Sequence, residues 1–255
     1  MRLGPALAVA ATLAASPLAA QDEAIVSGLS QNRVSITADF DGSEILVYGA
    51  VKRDAPAPEG ALDVIVTVEG PSTPLTVRRK DRVWGIWINN ASIAVDSAPS
   101  FYAVATTGPL VEILSATENL RHAITIDRVI RAVGVTAEAD ESEAFIEAMM
   151  RVRTADGRYR LLQDRIELTE ETLFRTDVTL PANLTEGEYK VRLFLLRDGR
   201  VVSSQERAIA VRKEGLERLI FNMAQQQPLL YGLVSLMLAG VAGWAASAVF
   251  RLFRA

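Results

Sequence analysis

The chain has 255 residues, with 27 Lys and Arg against 31 Asp and Glu, one His and no Cys, for a net charge of −4 at pH 7. Without Cys there is no disulfide framework, no thiolate-bound zinc or iron–sulfur cluster, no thiol nucleophile and no lipoprotein anchor. A single His leaves no two-His metal site, and the acidic balance lacks the basic footprint that a nucleic-acid partner requires.

Residues 1–20 (MRLGPALAVAATLAASPLAA) place Arg2 ahead of a short Ala/Leu/Val run that closes on Pro17-Leu18-Ala19-Ala20. This is the organisation of a secretory signal peptide, with cleavage expected after Ala20. All 31 acidic residues and 24 of the 27 basic ones lie in the body 21–227, a net charge of −7 that disfavours docking of that body on an anionic membrane.

Several stretches then alternate with period two, the mark of half-buried strands. Val34, Ile36, Ala38 and Phe40 share a face, Asp41-Gly42 reads as a hairpin turn, and Glu44–Val51 as the return strand. After the proline-broken loop Asp54–Gly60, Leu62, Val64, Val66 and Val68 alternate with Asp63, Ile65, Thr67 and Glu69. Arg78-Arg79-Lys80-Asp81-Arg82 reads as a solvated hairpin tip between strands. In the strand after it Trp84, Ile86 and Ile88 share one face with Trp87 opposite, so alternation should bury at least one Trp. Phe101–Thr106 is a further strand.

The pattern turns helical near 140–153, where Phe145, Ala148 or Met149, and Val152 form one stripe behind an acidic start at Asp140 and Glu143. Strands return at Phe174–Leu180 and again where Tyr189, Val191, Leu193 and Leu195 alternate, with Arg197-Asp198-Gly199-Arg200 as a hairpin. Gly187-Glu188-Tyr189 at a strand entrance resembles a tyrosine corner, in which the hydroxyl ties back to nearby backbone. The expected fold is therefore mainly β: two immunoglobulin-like antiparallel β-sandwich domains, 21–122 and 123–213, the second with a short inserted helix. Residues 214–227 read as an amphipathic juxtamembrane helix.

Leu229–Phe250 is free of charge and long enough to cross a bilayer core. Arg251 and Arg254 follow in the tail 251–255, which the positive-inside rule puts in the cytoplasm. Ala239, Gly243 and Ser247 recur at four-residue spacing, a line of small residues along which a second helix can approach.

No catalytic residue, metal-ligand set or cofactor motif emerges. His122 stands without a paired nucleophile or orienting carboxylate and reads as a solvated or packing residue. Asp39–Glu44 lacks the length and closing Glu of a calcium loop. A ligand-binding alternative would use Arg78, Arg79 and Arg82 with Trp84 or Trp87 to take an anion or a sugar.

Five segments carry a family resemblance: VSITADFDGSEILVYGAV (34–51), WGIWIN (84–89), FYAVATT (101–107), LFRTDVTLPANLTEGEYKVRLFLLRDGRVV (173–202) and PLLYGLVSLMLAGVAGW (228–244). Together they resemble an uncharacterised alphaproteobacterial transmembrane protein family of about this length. The resemblance implies a Gram-negative host, a periplasmic body and genes that lie near those for sulfite-exporter-like permeases. It implies no catalytic residue and no cofactor. The expected function is that of a non-enzymatic, single-pass inner-membrane protein. Its partners would be the bilayer and a membrane protein, or a second copy, met through the span. A tethered periplasmic module for an anion or sugar is the alternative.

Overall fold

The structure is a computed structural model and describes residues 23–37, 39–130, 139–213, 220 and 223–252. The expected signal peptide, most of the juxtamembrane segment 214–227 and the end of the tail lie outside the described residues; 223–226 are helical. The chain is mainly β. Its first seven strands are β1 (Ala24–Leu29), β2 (Arg33–Ile36), β3 (Gly42–Lys52), β4 (Leu62–Glu69), β5 (Ser72–Val83), β6 (Ile86–Pro99) and β7 (Tyr102–Thr106). Helices α1 (Leu110–Ile113), α2 (Ala116–His122), α3 (Ile126–Val129) and α4 (Ala139–Ala155) follow. Then come β8 (Tyr159–Leu162), β9 (Glu167–Thr169), β10 (Leu173–Pro181), β11 (Gly187–Arg197) and β12 (Arg200–Lys213), and last α5 (Pro228–Leu252).

The strands form a four-stranded sheet in the order β1-β3-β10-β9, a six-stranded sheet in the order β2-β12-β11-β4-β7-β8, and the separate ribbon β5-β6. Both larger sheets draw strands from either side of residue 122. β3 pairs with β10 over nine residue pairs, Leu173↔Ala50 to Pro181↔Gly42, and β4 pairs with β11 from Glu69↔Lys190 to Leu62↔Arg197. The expected boundary between 21–122 and 123–213 thus runs through both sheets. Pairings of such sequence separation leave no local trace, whereas the helical pattern near 140–153 does; it marks α4, the last helix of the insertion α1–α4.

Two further expectations change. The six-stranded sheet is not wholly antiparallel: β2 lies parallel to β12 at one edge and β8 parallel to β7 at the other. Asp41-Gly42 does not close a hairpin, because β3 has β10 along one edge and β1 along the other, from Ala24↔Lys52 to Leu29↔Val47. The chain instead changes sheets between β2 and β3, and Val34 enters the core from β2. By contrast Asp198-Gly199 closes the β11–β12 hairpin as expected, with φ of 47° and 76° at its two central residues. Asp and Gly accept positive φ at low cost, and that geometry matches the twist of the flanking strands.

The six-stranded sheet is packed on both faces. One core lies between the two larger sheets and contains Val47, Val178 and Leu180 from one, with Val64, Val66, Leu193 and Ile209 from the other. A second core covers the opposite face, where Ile65, Val104, Phe194 and Leu196 meet Val95 and Ala98 of the ribbon, Ile113 and Ile124 of the helical insertion, and Met149 of α4. This explains why β7 is buried at every position and why β4 is buried from Val64 to Val68. A strand covered on both faces reads as a nearly continuous apolar run. α4 covers the expected 140–153, but its buried side is Phe145 and Met149, and Val152 is exposed.

Tyr189 sits fully buried at the entrance to β11, and its hydroxyl donates to the Thr185 carbonyl at 3.0 Å. Its ring lies 6.3 Å from that of Phe101, so one side chain joins the corner to the first core. Burial pushes its phenol pKa up, a direction that keeps the hydroxyl a donor across the physiological range. Tyr189→Phe is expected to cost about 1 kcal/mol, the net worth of one hydrogen bond, read as a shift in urea midpoint at unchanged slope.

Candidate functional site

Arg192 and Tyr102 meet the end of α2, which carries His122. His122 does have a carboxylate beside it, unlike the sequence expectation: its Nε2 lies 3.4 Å from Glu118 Oε2, one helical turn back on α2, and its ring meets the Phe194 ring edge-on at 5.5 Å. Arg192, from β11, donates to the His122 carbonyl at 2.7 Å and to the Ala123 carbonyl at 3.0 Å. A cation there meets the exposed carbonyls and negative dipole end of α2, whose cap Ala123 is left-handed at φ 46°. Tyr102 donates to the Ile124 carbonyl at 2.7 Å and accepts from Arg192 at 3.2 Å. Burial raises its phenol to about 12.

Beside these residues a cavity of about 290 Å³ is lined by Tyr102, Val104, Leu110, Ile126, Tyr159 and Leu161 among others. Its two phenols are already committed, Tyr102 to Ile124 and Tyr159 to the Pro99 carbonyl at 2.9 Å. Arg160, also on its wall, donates to the Gly157 carbonyl at 3.0 Å. No nucleophile with a hydrogen-bonded base converges on this space among the described residues, so the arrangement offers apolar volume without a reactive pair.

The more distinctive surface is the ribbon β5–β6. Among the described residues its strands pair only with each other, from Ser72↔Pro99 to Val83↔Ile86. At its root Leu75, Val77 and Val95 pack into the second core. Beyond Arg79 and Ala91 the ribbon leaves the body, and from Arg82 to Asn90 every residue is exposed. At about 3.4 Å per residue this distal part reaches roughly 17 Å from the root.

The tip departs from the sequence expectation. The basic run Arg78–Arg82 lies within β5, and the turn is Trp84-Gly85, at φ 53° and 85°. Both central residues have positive φ, the two-residue geometry that favours Asn-Gly. Gly85 supplies the freedom, and Trp84 occupies a region that a bulky residue seldom enters. Neither Trp near the tip is in a core: Trp84 is 98% exposed and Trp87 66%, with Ile86 at 67% and Val83 and Ile88 exposed beside them. Alternation predicts burial only where a neighbouring layer exists, and here the ribbon has outrun its layer.

Of the five residues proposed to take an anion or sugar, Arg82, Trp84 and Trp87 lie together at the tip, while Arg78 and Arg79 stand nearer the root. The Arg79 guanidinium lies 5.6 Å over the Phe145 ring of α4 and 3.6 Å from Asp81. Arg78 stands opposite Ser92, while Arg82 stands opposite Trp87 and donates to the Gly85 carbonyl at 3.4 Å. The cations form a collar along the strand behind an apolar tip. Sequence reasoning named Trp84, Trp87 and Arg82 but missed Val83, Ile86 and Ile88 as part of the same surface. The available signal was the apolar run VWGIWI centred on a glycine.

α5 is 25 residues long, and Pro228–Ser247 has a mean hydropathy of 1.8 with no part of it buried against the body. By length and composition it can cross a membrane. Ala239, Gly243 and Ser247 are exposed on it, and a Cβ at Gly243 would meet no atom within 4 Å. The line of small residues is therefore open along its length.

A family model described as "Putative transmembrane protein (Alph_Pro_TM)" matches residues 24–252, and the chain belongs to that family. It is a transmembrane family, which places the chain in contact with a lipid bilayer. No curated protein matches in sequence. Among solved structures, the sporulation control protein Spo0M from Bacillus subtilis aligns at 10% identity and a TM-score of 0.28, over 80% of this chain and 55% of that one. The aligned part is about half the length of that protein.

Proposed function

We propose that this member of the transmembrane family is a non-enzymatic accessory protein of the bacterial inner membrane, which acts by binding and not by turnover. Residues 1–20 direct export, the β body lies in the periplasm, α5 spans the bilayer and the Arg-bearing tail stays in the cytoplasm. The strands on either side of the first core form an immunoglobulin-like sandwich, and the ribbon and helices are elaborations on its outer face. The partner class implied by the family resemblance is a permease of the sulfite-exporter-like kind, met by the span along Ala239, Gly243 and Ser247.

The observation that carries this reading is the pairing of an apolar, unburied α5 with a body that exposes Trp84 and Trp87 together at one projecting tip. Lipid supplies no hydrophobic drive between helices, so close packing over small side chains is the means by which a single span selects a neighbour. The titratable side chains at His122, Tyr102 and Tyr159 are engaged with backbone, aromatic or carboxylate partners, which supports binding over catalysis.

A photo-crosslinking residue in place of Gly243 tests the reading in intact membranes. The expected product is a covalent adduct with another membrane protein or with a second copy, lost when the crosslinker is moved to a large-residue position of the span such as Leu236. A chain that stays monomeric at every crosslinking position overturns it.

A further inference from the structure

We propose that the β5–β6 tip is a lipid-seating device: Trp84, Trp87 and Ile86 enter the headgroup region of an anionic bilayer while Arg82, just behind them, contacts its phosphates and Lys80 and Arg78 follow at increasing distance along the strand. The inference rests on the reading that α5 anchors the chain in a bilayer.

Four observations lead to it. First, the apolar tip is costly in water. A free two-stranded hairpin is marginally stable, and one whose turn position holds Trp84 at φ 53° forgoes the Asn-Gly preference of that turn. A surface kept at this disadvantage has an apolar environment to enter. Second, the composition is that of an interface. Trp side chains combine a large apolar body with one polar N–H and settle at headgroup depth. Third, the charge fits. Arg78, Arg79, Lys80 and Arg82 against Asp81 make a basic collar on a chain of net charge −4, reversing locally the sign that sets the body against anionic surfaces. A cation near an anionic leaflet gains about fivefold in binding. Fourth, the shape and location fit. The tip is convex and offers six residues, Val83–Ile88, where a stable protein interface takes about 20–30 on each side. A chain anchored by α5 holds its ribbon near a bilayer at high effective concentration, so weak insertion suffices. The tip and the span would then fix the body at two points and set its orientation to the membrane plane.

The test uses the full chain, whose three Trp are Trp84, Trp87 and Trp244. In a Trp244→Phe variant only the tip residues emit. The protein is reconstituted into vesicles of phosphatidylcholine alone or of equal phosphatidylcholine and phosphatidylglycerol, each with and without acyl-chain bromination. The expected result is blue-shifted emission quenched by brominated lipid, stronger with phosphatidylglycerol. Replacing Arg82 by Ser should lower the inserted-to-free ratio by about fivefold, and replacing Lys80 and then Arg78 by progressively less as their distance from the tip grows. Emission at the wavelength of water-exposed Trp, unaffected by bromination, overturns the proposal. So does a blue shift that requires an added membrane extract protein and not lipid. A Trp84→Phe/Trp87→Phe chain, which reports only Trp244, separates the two readings. Quenching there with a silent tip refutes the tip alone, whereas an unquenched Trp244 refutes the anchoring by α5 on which it rests.

Discussion

Glu23→Gln is expected to destabilise the body by about 3–5 kcal/mol, the cost of removing one partner from a buried ion pair. For a domain of this size that is a fall in Tm on the order of 10 °C. Glu23, at the start of β1, is buried between two arginines. Its Oε1 accepts from Arg53 Nε at 2.6 Å and from Arg197 Nη2 at 2.9 Å, and its Oε2 accepts from Arg197 Nε at 3.1 Å. The Arg197 guanidinium is itself buried, and it also donates to the Gly60 carbonyl and lies 3.5 Å from Glu171. Arg53 donates in turn to the Glu171 carbonyl at 2.5 Å. One carboxylate therefore joins the first strand, the loop after β3, the loop before β4, the turn before β10 and the end of β11. A Gln keeps the shape but removes the buried carboxylate from Arg197, which then keeps as charge partner only the exposed Glu171 side chain at 3.5 Å.

The same cluster sets an acid limit. The hydrogen bond from Arg197, aided by Arg53, holds the Glu23 carboxyl below its ordinary value of 4.5 against the opposing effect of burial. A carboxyl lowered in the folded state contributes its full stabilisation above its unfolded pKa and loses it as pH falls through the folded value. The difference between wild type and Glu23→Gln is thus expected to be constant from pH 7 down to about 4.5 and to shrink progressively below that. Urea denaturation of the detergent-solubilised full chain, followed by far-UV circular dichroism across this range, measures it. Equal midpoints at pH 7 would show that the cluster contributes nothing.

How far the sequence foretold all this depends on the range of the interaction concerned. The span is legible because its signal is continuous: charge is absent from Leu229 to Phe250, and α5 begins one residue earlier. The Asp198-Gly199 hairpin is legible because its residue types favour its dihedral angles. Trp84-Gly85 has the same backbone geometry, but Trp gives no turn signal, so the apolar residues there read as a buried strand and the basic run as the loop. The alternation at 62–68 correctly marks a strand, but Ile65 and Thr67, assigned to the second face, are as fully buried as Val64 and Val66. Local pattern reports one layer at a time and cannot say whether a second layer covers the back. The Glu23–Arg197 contact spans 174 residues and has no local correlate at all. The candidate site was thus half legible: residue types named Trp84, Trp87 and the cations, while their grouping depended on where the ribbon leaves its supporting layer.

The two-faced packing of the six-stranded sheet predicts a large effect at a position where a simple sandwich predicts almost none. Phe194→Ala is expected to cost about 3–5 kcal/mol, as for a buried aromatic truncated in a core. Along β11, Leu193 and Leu195 enter the core between the sheets, whereas Phe194 and Leu196 enter the core beneath the helices and the ribbon. In a sandwich with a solvated outer face, Phe194 would sit on the surface, where such changes stay within about 0.5 kcal/mol. Its ring instead packs against His122 at 5.5 Å and under the Arg192 guanidinium at 5.4 Å, so truncation also loosens the residues that cap α2. Because Leu75, Val77 and Val95 at the ribbon root share this second core, the substitution should raise amide exchange in the root of β5–β6 more than in β3 or β10, which border only the first core. Leu193→Ala should reverse that order at a cost of about 2–5 kcal/mol. Denaturation midpoints paired with hydrogen exchange distinguish the two variants: a surface-like Phe194→Ala, or identical exchange patterns for both, would mean that the helices and ribbon do not form a second core. If the pattern holds, the ribbon that carries Trp84 is rigidly seated in the body, and the orientation of the tip is set by packing on the outer face of the sheet.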